Sequence, residues 1–237
     1  VKEVGDPFIL LGKKRFSNAF KSSHRVLIGH NRWATTGKVN RANAHPFECG
    51  DLIGVHNGTL RNKYQIPGHI HFDTDSESLY NHIDKVGIDE AMKIAEGAWA
   101  LVYYNKLDHS VNMLRNDQRP LFFSYTKDKK ALMWASEKWM LQVASSRNKV
   151  ELDKIVELPV DKWHKFSMPN GGAEIPSAVV ETIKGKEVIE EKKAVGATNT
   201  VASTGNTTPF IGTKISPIVN VEGVSLKCEV LNGKPIS

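Results

Sequence analysis

Between residues 98 and 136 four short apolar runs follow one another: "AWALVYYN", "SVNMLRN", "PLFFSY" and "ALMWAS". Only polar turns such as "KLDH" and "TKDKK" separate them. Runs rich in Val, Tyr, Phe and Trp and bounded by turn residues read as strands. A parallel pair needs a crossover of about a dozen residues, so strands joined this tightly pair antiparallel. Helical signals flank them. "TDSESLYNHIDKVG" has Thr74 and Glu77 at capping-box spacing, Leu79, Ile83 and Val86 on one face, and a stop at Gly87. "IDEAMKIAEG" reads as a second helix closed by Gly97, and "EKWMLQVASS" as a short amphipathic one. "KIVEL" and "WHKFSM" add two strands, and "RVLIGH" and "DLIGVH" upstream read as buried strands, the latter entering a turn at "NGTL". Strands in runs with helices between them predict a layered α+β fold rather than a βαβ sheet.

The chain of 237 residues is long enough for one sizeable core. A mixed uncharged stretch, "AVGATNTVASTGNTT", marks residues 193–208 as a flexible linker, leaving 1–192 as one domain and 209–237 as a tail with one or two possible strands. No run approaches the length of a membrane span and no secretory signal opens the chain. Cys49 and Cys228 stand far apart with no CxxC spacing, which favours a reducing, cytoplasmic setting. The formal charge is +6, but basic residues alternate with acids, as in "EVIEEKKA". Nucleic-acid binding therefore rests on net charge alone, because no basic stripe is interleaved with aromatics.

Four segments place polar residues where a strand or loop should end: "GHNRWATTG", "NAHPF", "GVHNGTL" and "DTDSES". Each has a plain structural explanation and a chemical one. Arg32 is either a surface cation paired with some carboxylate or a planar fork for an anionic ligand. Asn57-Gly58 is either a hairpin turn or a pair of donors for an oxyanion. Asp75 is either a helix-start residue or a partner for an ammonium group. His69 and His71 in "HIH" fall on one strand face, but no third ligand has metal spacing, so no metal is expected. "GDPFILLGKK" differs from a phosphate loop in its glycine spacing and in lacking a Ser or Thr after the Lys.

In this order and at these separations the four segments resemble the glutaminase domain of class II glutamine amidotransferases, nearest to the glucosamine-6-phosphate synthase branch. "GAWALVYY", "RPLFF" and "WASE" continue the likeness, which spans about residues 25–168. The resemblance implies an N-terminal-nucleophile hydrolase fold, an αββα four-layer sandwich of two antiparallel sheets. It implies L-glutamine as substrate, an ammonia acceptor as partner, and no cofactor. Arg32 is expected on the glutamine α-carboxylate and Asp75 on its α-ammonium, with Asn57 and Gly58 forming the oxyanion hole. Trp33 and Thr35 fall on the loop that closes over substrate, with His45 supporting it. Thr36 stands where the family often has His. The compact build is similar to stand-alone versions carried by tailed bacteriophages, which implies a host-cytoplasm or virion setting. The family's nucleophile is a Cys at the mature N-terminus whose own amine is the base. This chain starts at Val1 and internal Cys49 lacks a free amine, so the first strand and nucleophile are expected upstream. The alternative is an inactive relative with a binding or structural role in a larger assembly.

Overall fold

The computed structural model describes residues 1–21, 24–167 and 179–182. In chain order the helices are α1 (Pro7–Leu11), α2 (Lys14–Ala19), α3 (Asp75–Val86), α4 (Ile88–Ile94) and α5 (Lys138–Asn148). The strands are β1 (Phe47–Cys49), β2 (Leu52–Leu60), β3 (Gly97–Asn105), β4 (Ser110–Arg115), β5 (Phe122–Tyr125), β6 (Leu132–Ala135), β7 (Val156–Glu157), β8 (Lys162–Ser167) and β9 (Val179–Thr182). One six-stranded sheet has the order β1-β2-β3-β4-β8-β9, and a three-stranded sheet has the order β6-β5-β7. Every pairing is antiparallel.

Side-chain alternation along β3 sets the layers. Trp99, Leu101 and Tyr103 join Leu79, Tyr80 and Ile83 of α3 and Ala91 and Met92 of α4 in one core. Ala100 and Val102 point the other way, with Val55, Val111, Met113 and Phe166, and meet Leu121, Leu132 and Leu158 from the smaller sheet. Behind that sheet, Met133 and Phe122 pack with Leu141 and Ala144 of α5. Helices, large sheet, small sheet and helix thus form four layers: an αββα sandwich. Each fully buried Leu or Met contributes about 1.5–3 kcal/mol relative to exposure, so the two sheet faces supply most of the driving force. Among the described residues no helix is long and apolar enough to cross a membrane.

Several expectations need correction. "NGTL" is not a turn: β2 runs straight through it, pairing Asn57 with Ala100 and Gly58 with Trp99. "RVLIGH" is not a strand, although Val26 and Ile28 pack against the inter-sheet core. Apolar side chains found a core there, but its backbone found no ladder. "HIH" forms a single 3₁₀ turn, His69–His71, rather than a strand face. Helix α4 ends at Ile94 with Ala95 extended, and Gly97 opens β3 instead of closing the helix. The linker 193–208 and the tail 209–237 lie outside the described residues.

Candidate active site

Helix α3 fixes one wall of the site. Its N-cap Thr74 accepts a hydrogen bond from the Glu77 backbone N–H at 3.2 Å, as the capping spacing predicts. Asp75 is the first helical residue, where the helix dipole favours a negative charge. Its carboxylate is 3% exposed and doubly held, by the Leu60 N–H at 2.8 Å and the Thr36 hydroxyl at 2.9 Å. Further along the helix, the Tyr80 hydroxyl donates to the Val55 carbonyl at 2.6 Å, anchoring α3 across the sheet. Gly54 permits this, since a Cβ there would strike the Tyr80 ring.

Strand β2 is the floor. Trp99 turns both main-chain groups toward Asn116: its N–H donates to Asn116 Oδ1 at 3.2 Å and its carbonyl accepts from Asn116 N at 3.0 Å. Antiparallel ladders alternate, so Gly58, opposite Trp99, aims its N–H away from β3 at the open edge of β2. β1 pairs only as far as Gly54, which leaves that edge free. Gly58 has φ +150°, and a Cβ there would collide with the Ala98 carbonyl. Asn57 is half-buried, and its side-chain amide has no hydrogen-bond partner among the described residues.

An irregular segment, residues 30–38, makes the opposite wall. Arg32 donates to the Thr36 carbonyl and, at 3.4 Å, to the Lys38 carbonyl. No carboxylate pairs with it among the described residues. Thr35 shares a 2.9 Å hydrogen bond with Thr59 of β2. Trp33 is 85% exposed.

Beneath this wall lie three imidazoles, the half-buried His30 and the buried His45 and His56. The His30 and His45 ring centroids are 4.1 Å apart. Burial, then the neighbouring charges of His56 and Arg32, lowers the His30 pKa to about 4. Burial also pushes His45 well below its ordinary value, followed by the charges of His30, His56 and Arg32. His56 is lowered by burial against a raising contribution from Asp75. It bonds Ser76 Oγ through Nδ1 at 2.9 Å and the Ala98 carbonyl through Nε2 at 3.3 Å. The carbonyl requires a proton on Nε2, so Nδ1 is the acceptor. All three rings are neutral near pH 7.

One cavity of about 300 Å³ is lined by all seven residues expected from sequence: Arg32, Trp33, Thr35, His45, Asn57, Gly58 and Asp75. His30, His56, Ser76 and Arg119 also line it, and sequence reasoning missed them as site residues. His56 lies inside the quoted "GVHNGTL", and Arg119 opens the quoted "RPLFF", in the loop after β4, where it reads only as part of the likeness. Cys49 sits elsewhere. Its thiol points into the helix-side core, donates to the Glu77 carbonyl at 3.8 Å, and is pushed by burial to a pKa of about 11. Among the described residues no group of three His, Cys, Asp or Glu side chains could hold a metal ion.

The layering defines an αββα sandwich, with a cavity floored at a strand edge by the Asn57 amide and the outward-facing Gly58 N–H. The sequence pattern of the glutamine amidotransferase domain matches residues 16–192, and the chain belongs to that family. It is 31% identical over 153 residues to the glutamine–fructose-6-phosphate aminotransferase of Sulfolobus acidocaldarius, covering 50% of this chain and 25% of that protein. The enzyme of the same name from Methanosarcina acetivorans is 31% identical over 129 residues, covering 43% and 21%. The chain thus spans about a quarter or less of these relatives' lengths. A solved glutamine phosphoribosylpyrophosphate amidotransferase from B. subtilis superposes with a TM-score of 0.49 at 19% identity, covering 65% of this chain and 34% of that one.

Proposed function

We propose that the cavity binds L-glutamine and serves its hydrolysis to glutamate and ammonia, the ammonia passing to an acceptor on a partner domain or protein. The observation that carries this reading is the Asp75 carboxylate, buried, doubly hydrogen-bonded, and sharing one cavity with Arg32 and the unpartnered Asn57 amide. An amino acid presents one cation and one anion on its α-carbon. Asp75 takes the α-ammonium and Arg32 the α-carboxylate as a bidentate partner. Asn57 and the Gly58 N–H then hold the side-chain carbonyl oxygen, which becomes an oxyanion when a nucleophile adds. In the family scheme a thiolate attacks that carbon, ammonia leaves, and water releases glutamate from the thioester. Trp33 and Thr35 lie on the segment that closes over the ligand, with His45 packed beneath it. The free thiol of Cys49 fits a reducing compartment such as the cytoplasm.

A second reading keeps the binding without the turnover, favoured by one observation: among the described residues no cysteine lines the cavity. Binding and turnover are therefore tested separately. Calorimetric titration should show saturable binding of L-glutamine and none of D-glutamine or glutaramide, which misplace or lack the α-groups. Equal binding of all three, or of none, would defeat the proposal. Glutamate release from bound L-glutamine then separates the enzyme from the inactive module.

A further inference from the structure

Charge counting in the cavity leaves one cation over. Among the described residues the lining carries one carboxylate, Asp75, and two guanidinium groups, Arg32 and Arg119, while its three imidazoles are neutral. On the glutamine reading, the zwitterionic α-carbon uses Asp75 and Arg32. Arg119 has nothing to answer it. Its Nε is buried without a hydrogen-bond partner, and the only acceptor met by its guanidinium among the described residues is the Gln118 carbonyl, 3.0 Å from Nη1. Leaving a half-buried guanidinium unpaired is unfavourable unless an anion visits it.

Its neighbours say which end of the ligand it faces. Gly58 pairs with Trp99, and Trp99 bonds Asn116, so β2, β3 and the end of β4 lie in one row. Arg119, in the loop that follows Asn116, lines the cavity together with Asn57 and Gly58, while the Arg32 charge is felt at His30 and His45. The Arg119 charge is felt at His56, next to Asn57, where it disfavours protonation.

We infer that Arg119 is a third ligand contact, a cation at the amide end of the pocket that favours negative charge there over the neutral amide. The favoured species are the γ-carboxylate of product glutamate and the oxyanion that precedes it. This inference rests on the glutamine reading and sharpens it: the pocket discriminates by charge at the amide end, not only by shape.

Calorimetry with L-glutamine and L-glutamate on the wild-type chain, Arg119→Gln and Arg119→Lys tests it. Arg119→Gln should weaken glutamate about tenfold more than glutamine, the loss expected for one charge-assisted contact. Arg119→Lys should retain most of the glutamate preference. Equal loss for both ligands, or an unmoved ratio in folded Arg119→Gln, overturns the inference while leaving glutamine binding intact. Wild-type chain that binds neither ligand overturns the glutamine reading and this inference with it. Should Arg119→Gln fail to fold, the wild type still decides: it should bind L-glutamate more tightly than the γ-methyl ester, and the reverse preference overturns the inference.

Discussion

The two walls of the cavity are held in opposite ways. On the α3 and β2 side the groups are held by the folded frame: the buried Asp75 carboxylate accepts from Leu60 N–H and the Thr36 hydroxyl, the buried Tyr80 spans the sheet, and Gly58 fits against the Ala98 carbonyl. On the other side residues 30–38 form no ladder and no helix. They touch the wall opposite through two hydroxyls, Thr35 on Thr59 and Thr36 on Asp75. The difference separates two tasks. On the proposed glutamine reading, the groups that would meet developing charge stand on rigid elements and need no reorganisation, while Arg32, which would grip and release the ligand, stands on a segment with little to lose by moving.

The largest expected effect breaks the rigid wall. Gly58→Ala places a methyl group against the Ala98 carbonyl at φ +150°. Backbone strain of this kind costs about 1–3 kcal/mol before any clash is counted. Chemical denaturation should show at least that loss. An unchanged midpoint would mean that β2 is not held as described at Asn57-Gly58.

Next in size is acid, which should find the loop wall first. His30 has its pKa lowered from 6.5 to about 4 in the folded state. Between those values the unfolded chain binds a proton that the folded chain excludes. Stability is fully present above pH 6.5 and is lost as pH falls toward 4, by up to about 1.4 kcal/mol per pH unit for one such imidazole. His45 is shifted in the same direction and adds to the slope. Melting temperature should drop through this window, and His30→Gln should flatten part of the drop. Proteolysis confined to residues 24–46 at mildly acid pH would show that the loop opens before the sheets do. Parallel loss of the α3 wall would erase the distinction between the walls.

Why the walls differ also explains how much of them the sequence disclosed. The α3 signals are local: a cap at Thr74, an apolar face and a stop at Gly87, all of which stand in the fold. The short strands from 97 to 136 are likewise visible, and their tight turns pair β3 with β4 and β5 with β6, although β4 and β5 fall in different sheets, which no local signal shows. Asn57-Gly58 misleads because a favoured turn dipeptide has a straight alternative when β3 offers it a ladder partner, and that partner lies some forty residues away in "GAWA". "RVLIGH" misleads in the opposite sense, with an apolar pattern that satisfies packing but no strand to complete its backbone. Arg119 is visible only as the first residue of "RPLFF", quoted for its strand and not for its charge, because its place in the cavity depends on how two sheets come together. Thr36, by contrast, stands where the family often has His, and its hydroxyl proves to be a donor to Asp75.

Binding energies should divide along the same line. Asp75→Asn removes the only carboxylate that lines the cavity among the described residues and should cost about a hundredfold in L-glutamine affinity, the scale of a buried charge-assisted contact. Arg32→Lys keeps the charge but loses the two parallel donors, and about tenfold is expected. Melting should fall for Asp75→Asn, which weakens its hold on Leu60 N–H, and stay level for Arg32→Lys, whose only bonds among the described residues are to its own loop. The same melting change for both would argue that the two walls are one cooperative unit.

The smallest expected effect concerns the joint between the walls. Thr36→Val keeps the shape of the side chain but deletes the donor to Asp75 Oδ1, while Leu60 N–H and the helix start still hold that carboxylate. Net loss of one such hydrogen bond is about 0.5–1.5 kcal/mol. Because the loop is tethered here and at Thr35, the loss should appear less in the global melt than in amide exchange, with protection falling between residues 30 and 38. Glutamine affinity should drop severalfold, since the ligand must then order a looser loop before Arg32 can meet its carboxylate. Asp75 itself should remain as buried and as helix-bound as before. If exchange quickens equally in α3, Thr36 is a brace for the rigid wall rather than a latch on the looser one, and the division of labour between the walls fails at its seam.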